Sequence, residues 1–169
     1  TVRHHFTVNG VELDVDHAMR IRYPTAAFAD YFKFAFVRDP LARFVSAWQD
    51  KVVNNNYYRF EAPDLERMQQ LEEFAGWVSA QDLSAVPGTD QHLALQSRLI
   101  DLSQVDFVGR LESFDVDFAE VCERVGAPSG LAQAHNQTRG GESADGRVSA
   151  EVRTMVRRMY RRDYQIFGY

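Results

Sequence analysis

A short apolar run stops at an Arg-Asp-Pro triplet and gives way to an amphipathic helix: Tyr31 to Lys51 reads Y-F-K-F-A-F-V-R-D-P-L-A-R-F-V-S-A-W-Q-D-K. Few patterns limit a fold more, because the hydrophobic period switches from strand to helix at a point marked by proline. Phe32, Phe34 and Phe36 alternate with Lys33, Ala35 and Val37, as in a buried strand. Pro40 suits the first helical position, where its missing N–H costs nothing. Asp39 can cap the helix and matches the positive end of its dipole. Leu41, Phe44, Val45, Trp48 and Val52 recur at helical spacing and form the core face, while Arg43, Ser46 and Asp50 fall elsewhere. Arg38 therefore stands where a strand ends, the place where open α/β sheets bind ligands. Its guanidinium offers a planar fork of donors to phosphate. The same residues also have a plainer reading, a capped helix with Arg38 in a surface ion pair. Arg43, four residues after Asp39, is expected to pair with that carboxylate.

At 169 residues the chain is expected to form a single domain with a substantial core. A net charge of −5 argues against general nucleic-acid binding, which needs a basic footprint. Cys122 is the only cysteine, so no intrachain disulfide can form, which fits a reducing cytosol. No apolar run approaches the roughly 20 residues of a membrane span, and no signal peptide is visible. Two lysines stand against seventeen arginines. With the many Ala and Asp, that skew points to a GC-rich bacterial source, so the bacterial cytoplasm is the expected location. His4-His5 lacks the partners a metal site needs, and neither H-E-x-x-H nor C-x-x-C occurs, so no metal is expected. The chain begins at Thr1 without methionine, which suggests that a longer protein precedes it.

A hairpin is expected around Asn9-Gly10, then a short helix from His17 capped by Asp16, and another over Thr25 to Tyr31. The spacing predicts helices over Leu41–Val53, Leu65–Ala80, His92–Leu99, Phe114–Val125 and Ser149–Arg162, and a second strand over Asp106–Arg110. Asn54-Asn55-Asn56 breaks the first helix. Ser113 and Gly126 bound the fourth. Residues 127–147 read as a Gly-rich polar loop. Strand followed by helix, repeated, argues for an α/β fold with a parallel sheet flanked by helices.

F-V-R-D-P-L-A-R-F-V-S-A-W resembles the 3′-phosphate-binding segment of sulfotransferases that use 3′-phosphoadenosine 5′-phosphosulfate, PAPS, most closely the carbohydrate-type, family-2-like group. Asp90 to Gln96 is similar to that family's D-x-H-x-x-x-Q segment, and Asp106 to Glu112 to its F-V-G-R-x-E strand. His135 to Thr138 resembles its N-x-T segment, and Tyr160 to Tyr169 its C-terminal ending. The matches occur in the family's order.

The resemblance implies a P-loop-like core and sulfuryl transfer from PAPS to a hydroxyl of a carbohydrate or small molecule, with no metal. It implies that Arg38 and Ser46 grip the 3′-phosphate and that a polar loop with Asn136, Thr138 and Arg139 lies close to the nucleotide, where loop N–H groups can form an anion nest. His17 matches a histidine placed near the acceptor hydroxyl, where imidazole suits a general base. His92 and Gln96, spaced i and i+4, are candidates for binding the acceptor. A eukaryotic source would imply the Golgi lumen. The family's 5′-phosphosulfate loop, P-K-x-x-x-T-S, is absent, and its place would be before Thr1. Residues 1–169 are therefore expected to be the C-terminal portion of a longer domain. Two alternatives stand beside this reading. One is a non-catalytic nucleotide-binding module of the same family. The other is a polyanion-binding protein using Arg153, Arg157, Arg158, Arg161 and Arg162 on the last helix.

Overall fold

Strand β1, Phe34–Val37, pairs in parallel with β2, Phe107–Arg110, in the register Phe34 with Phe107 through Val37 with Arg110. This computed structural model describes residues 29–86, 88–128 and 148–169. The hairpin expected before Asp16, the helix expected at His17 and most of the 127–147 loop lie outside them. So does most of the helix expected over Thr25–Tyr31, of which residues 29–31 form a turn and a bend. The remaining elements are α1 (Pro40–Trp48), α2 (Ala62–Met68), α3 (Leu71–Ser79), α4 (Gln96–Leu99), α5 (Phe114–Arg124), α6 (Ala150–Met159) and α7 (Arg161–Phe167). The chain divides into two compact units, one of Thr1–Val37 and Ile100–Gln137, the other of Arg38–Leu99 and Thr138–Tyr169.

Among the described residues, the first unit holds a parallel strand pair with α5 packed against it. Its core is Phe118, Val121 and Cys122, against which Phe32, Phe34, Phe36, Phe107 and Phe114 pack. Alternation puts Phe34 and Phe36 of β1 on one face, and Phe32, two residues before the strand, joins them against α5. The rings of Phe36 and Phe114 lie 5.0 Å apart, and those of Phe114 and Phe118 stack at 5.1 Å. Gly109 leaves room for the Phe36 ring, which a Cβ at that position would meet at 2.5 Å. The turn into α5 is closed by Asp117, which accepts from the Arg110 N–H and the Ser113 hydroxyl. Ser113 therefore does not cap α5 with its own side chain, as expected, but donates to an acid inside the helix.

The described residues of the second unit are helical apart from turns and connecting segments. Phe44, Val52, Phe74, Ala75, Val78, Leu93, Val152, Val156 and Tyr160 form its buried centre, with Leu41, Val45 and Trp48 packed around them. The face expected of α1 is thus the one buried. Past Trp48 the helix widens into a π-helical turn, Gln49–Val53, before Asn54.

Three expected helices differ. The helix over Leu65–Ala80 is two, α2 and α3, with Gln70 extended between them. The Met68 carbonyl accepts from the Trp48 indole at 3.0 Å and leaves the helical ladder. The helix over Ser149–Arg162 is also two, broken at Tyr160. Only Gln96–Leu99 of the expected His92–Leu99 helix is helical. The carbonyls of Gln91, Leu93 and Ala94, which such a helix would use, accept from Arg43 and Tyr160 side chains instead.

Candidate functional site

Arg38 is the first residue beyond β1 and precedes the α1 cap. Asp39 accepts from the Ala42 N–H at 2.8 Å, and Pro40 opens the helix. Arg38 itself is half-buried, and its peptide is held from both sides by one side chain. The Arg38 N–H donates to Gln96 Oε1 at 3.0 Å, and Gln96 Nε2 donates to the Arg38 carbonyl at 2.8 Å. Its guanidinium makes no hydrogen bond or ion pair with any described residue. Ser46 lies eight residues further on, about two turns along α1. Its hydroxyl likewise bonds no described residue.

The segment from Asp90 to Ser97 is bonded to this region through Gln96 and through the carbonyls that Arg43 reaches. Asp90 organises its start, accepting from the His92 N–H at 2.9 Å and from the Tyr57 hydroxyl at 3.0 Å. His92 Nδ1 lies 2.9 Å from the same carboxylate, which favours a proton on Nδ1 and leaves Nε2 as the acceptor. The His92 side chain is one-third exposed, at 33%, and stands edge-on to the Tyr57 ring. Burial pushes the Asp90 carboxyl up. The bonds from His92 and Tyr57 together outweigh it and hold the group below its ordinary value. Gln96 is not on a helical face with His92, as its spacing suggested, because residues 92–95 are not helical. Both polar atoms of its amide go to Arg38.

Arg43 does not pair with Asp39. Its two terminal nitrogens reach the carbonyls of Gln91 and Ala94 at 2.8 and 2.9 Å, tying α1 to the same segment. Burial pulls its guanidinium below the ordinary value, opposed by the nearby Tyr160, Asp163 and Asp90. From the α6–α7 break, the Tyr160 hydroxyl donates to the Leu93 carbonyl at 2.8 Å. Burial drives that phenol well above its usual range. Asp163, with no exposed surface, accepts from the N–H groups of Gln96 and Ser97 at 2.7 and 3.0 Å.

Of the residues singled out from sequence, Arg38 and Gln96 are in direct contact, while His92 and Ser46 belong to the same unit. His17, Asn136, Thr138 and Arg139 lie outside the described residues. Sequence reasoning missed Asp163 and the true partners of Arg43 and Gln96. Asp163 carried a signal: it follows Tyr160 by three and precedes Phe167 by four, so an acid sits on the apolar stripe of the last turns. The five arginines near the C-terminus do not share one helix. Arg157 and Arg158 end α6, Arg161 and Arg162 open α7, and Arg153 donates to the Val148 carbonyl.

Among the described residues no group of acids, histidines and cysteine could hold a metal ion, and no helix is long and apolar enough to cross a membrane. A half-buried arginine on a clamped main chain, with a hydroxyl two turns away, is equipped to hold an anion.

A family model described as "Sulfotransferase family" matches residues 8–169. Human carbohydrate sulfotransferase 9 is 28% identical over 170 residues, covering 82% of this chain and 38% of that protein. Mouse carbohydrate sulfotransferase 12 is 26% identical over 182 residues, covering 90% of this chain and 42% of that protein. The chain thus spans about two-fifths of the length of these relatives. No solved structure matches.

Proposed function

Because the chain belongs to the sulfotransferase family, we propose that it forms part of a PAPS-dependent enzyme that sulfates a hydroxyl of a carbohydrate. The carbohydrate acceptor is suggested by the two relatives named above. The observation that carries the proposal is Arg38, whose main chain is held at two points while its guanidinium has no partner among the described residues. The donor set fits a phosphate: a guanidinium fork plus the Ser46 hydroxyl, both charge-complementary or neutral donors.

In this reading Arg38 and Ser46 hold the 3′-phosphate, and Asn136, Thr138 and Arg139 contribute further contacts to the nucleotide. PAPS supplies the sulfuryl group. His17 takes the proton from the acceptor hydroxyl. His92, held by Asp90 with Nε2 available, addresses the acceptor side. Gln96 orders Arg38 and does not touch the acceptor, because its amide is already used. The parallel pair β1–β2 is read as a piece of a P-loop-like sheet.

The test is binding of adenosine 3′,5′-bisphosphate to the full-length protein. At about 100 times its dissociation constant the nucleotide should stabilise the fold by roughly 2.7 kcal/mol. Arg38→Ala removes a charge-assisted contact worth roughly 1.5–3 kcal/mol, so affinity should fall by about one to two decades. No thermal shift in the parent protein would sink the reading.

A further inference from the structure

Three sequence segments meet behind Arg38 in one line of support. Asp163 on α7 has no exposed surface, and its carboxylate holds the N–H groups of Gln96 and Ser97. That anchors the main chain of Gln96. The Gln96 side chain, only 6% exposed with its residue, then holds the Arg38 peptide from both sides. A residue whose N–H and C=O are both bound has its two flanking peptide planes set, and with them the direction in which its side chain leaves the backbone. Beyond that point the Arg38 guanidinium has no described partner.

We infer that Gln96, seated by Asp163, is the positioning residue that pre-organises Arg38 for the 3′-phosphate. The inference rests on the reading of Arg38 as a phosphate ligand. Holding the backbone in the bound arrangement removes an ordering cost that would otherwise reduce affinity. The residue type fits the task. A primary amide carries a donor and an acceptor on one rigid plane, which a single peptide needs on both its sides. Glutamate would keep the acceptor and lose the donor. Methionine would keep the length and lose both. Every polar atom of the Gln96 side chain is used on Arg38, so its removal reports on that residue first.

The experiment compares adenosine 3′,5′-bisphosphate with adenosine 5′-monophosphate, titrated calorimetrically into the full-length protein. The ratio of the two affinities isolates the 3′-phosphate. Gln96→Met should lower that ratio about three- to tenfold, the worth of roughly one hydrogen bond, and leave 5′-monophosphate affinity unchanged. Placed in an Arg38→Ala background, the same substitution should change the ratio no further, because both act through one contact. If Gln96→Met does not fold, Gln96→Glu takes its place, with the same fall expected from loss of the donor.

An unchanged ratio in a parent protein whose selectivity depends on Arg38 overturns the inference and leaves the functional reading standing. An equal loss for both nucleotides also overturns it, because Gln96 would then support the fold at large. A parent that does not distinguish the nucleotides, or whose selectivity survives Arg38→Ala, overturns the functional reading itself and the inference with it.

Discussion

Rings hold the residues around the strand pair, whereas side-chain bonds to the main chain hold the residues around Arg38. In the first region Phe36, Phe114 and Phe118 interlock, and Arg124 lies over the rings of Phe32 and Phe107. In the second, Arg43, Gln96, Tyr160 and Asp163 each satisfy main-chain groups far away in sequence. Apolar contact is non-directional and scales with area. It builds a platform without specifying an angle. Hydrogen bonds to a peptide are directional, and a lost partner leaves a buried group unsatisfied. The bonds cluster around Arg38, the side chain proposed to hold the phosphate.

Four measurements would break or sharpen that contrast. The largest effect is expected in the ring cluster: Phe118→Ala should destabilise by about 3–5 kcal/mol in denaturant unfolding. A loss near zero would mean that the rings do not carry this region. Next comes Gly109→Ala, whose new methyl would meet the Phe36 ring. It should cost about 1–3 kcal/mol through overpacking. A parental melting temperature would show that the ring moves aside freely.

On the polar side, Asp90 has a folded-state pKa below its ordinary value. The unfolded chain then binds more protons across that window, so stability from Asp90 is present above the ordinary aspartate range near pH 4 and is lost as pH falls through the folded value. The melting-temperature gap between parent and Asp90→Asn should therefore narrow below about pH 4. A gap as wide at pH 3 as at pH 7 would remove the charge on Asp90 from the account. The smallest effect is expected at Ser97, whose buried hydroxyl has no hydrogen-bond partner among the described residues. Ser97→Ala should be neutral, within about 0.5 kcal/mol, or slightly stabilising. A marked loss would reveal that the hydroxyl has a partner, and the polar network would extend further than Asp163.

The same contrast explains what could be read from the sequence. β1, the Asp39 cap and the buried face of α1 were legible because alternation, a proline and helical spacing are local signals. The second strand was legible for the same reason. The breaks at Gln70 and Tyr160 and the non-helical turn at 92–95 were not. Near Gln70 and over 92–95 a distant side chain takes a carbonyl a helix would need, and at Tyr160 the residue at the break is itself such a donor. Arg43 shows the error most plainly. Its i−4 neighbour Asp39 was the natural local partner, yet its bonds run to residues 48 and 51 positions away. Arg38 and Gln96 were each singled out, but the bond between them spans 58 positions and has no local trace.

The parallel pairing of β1 with β2 has a consequence for how the chain reaches this state. The bond from the Lys33 N–H to Asp106 at the edge of the pair joins positions 73 apart. The entropy of closing such a loop rises only slowly with its length, but pairings of high sequence separation are slow to form. Helices α1 to α4 all lie within that interval, and their buried centre also takes in Val152, Val156 and Tyr160 from beyond it. Until β2 arrives, Phe32, Phe34 and Phe36 lie along an unpaired strand edge, and exposed apolar edges of that kind associate with other chains. At high concentration the run that anchors the finished sheet is the segment most exposed to misassembly, and it is the one a chaperone would most usefully shield.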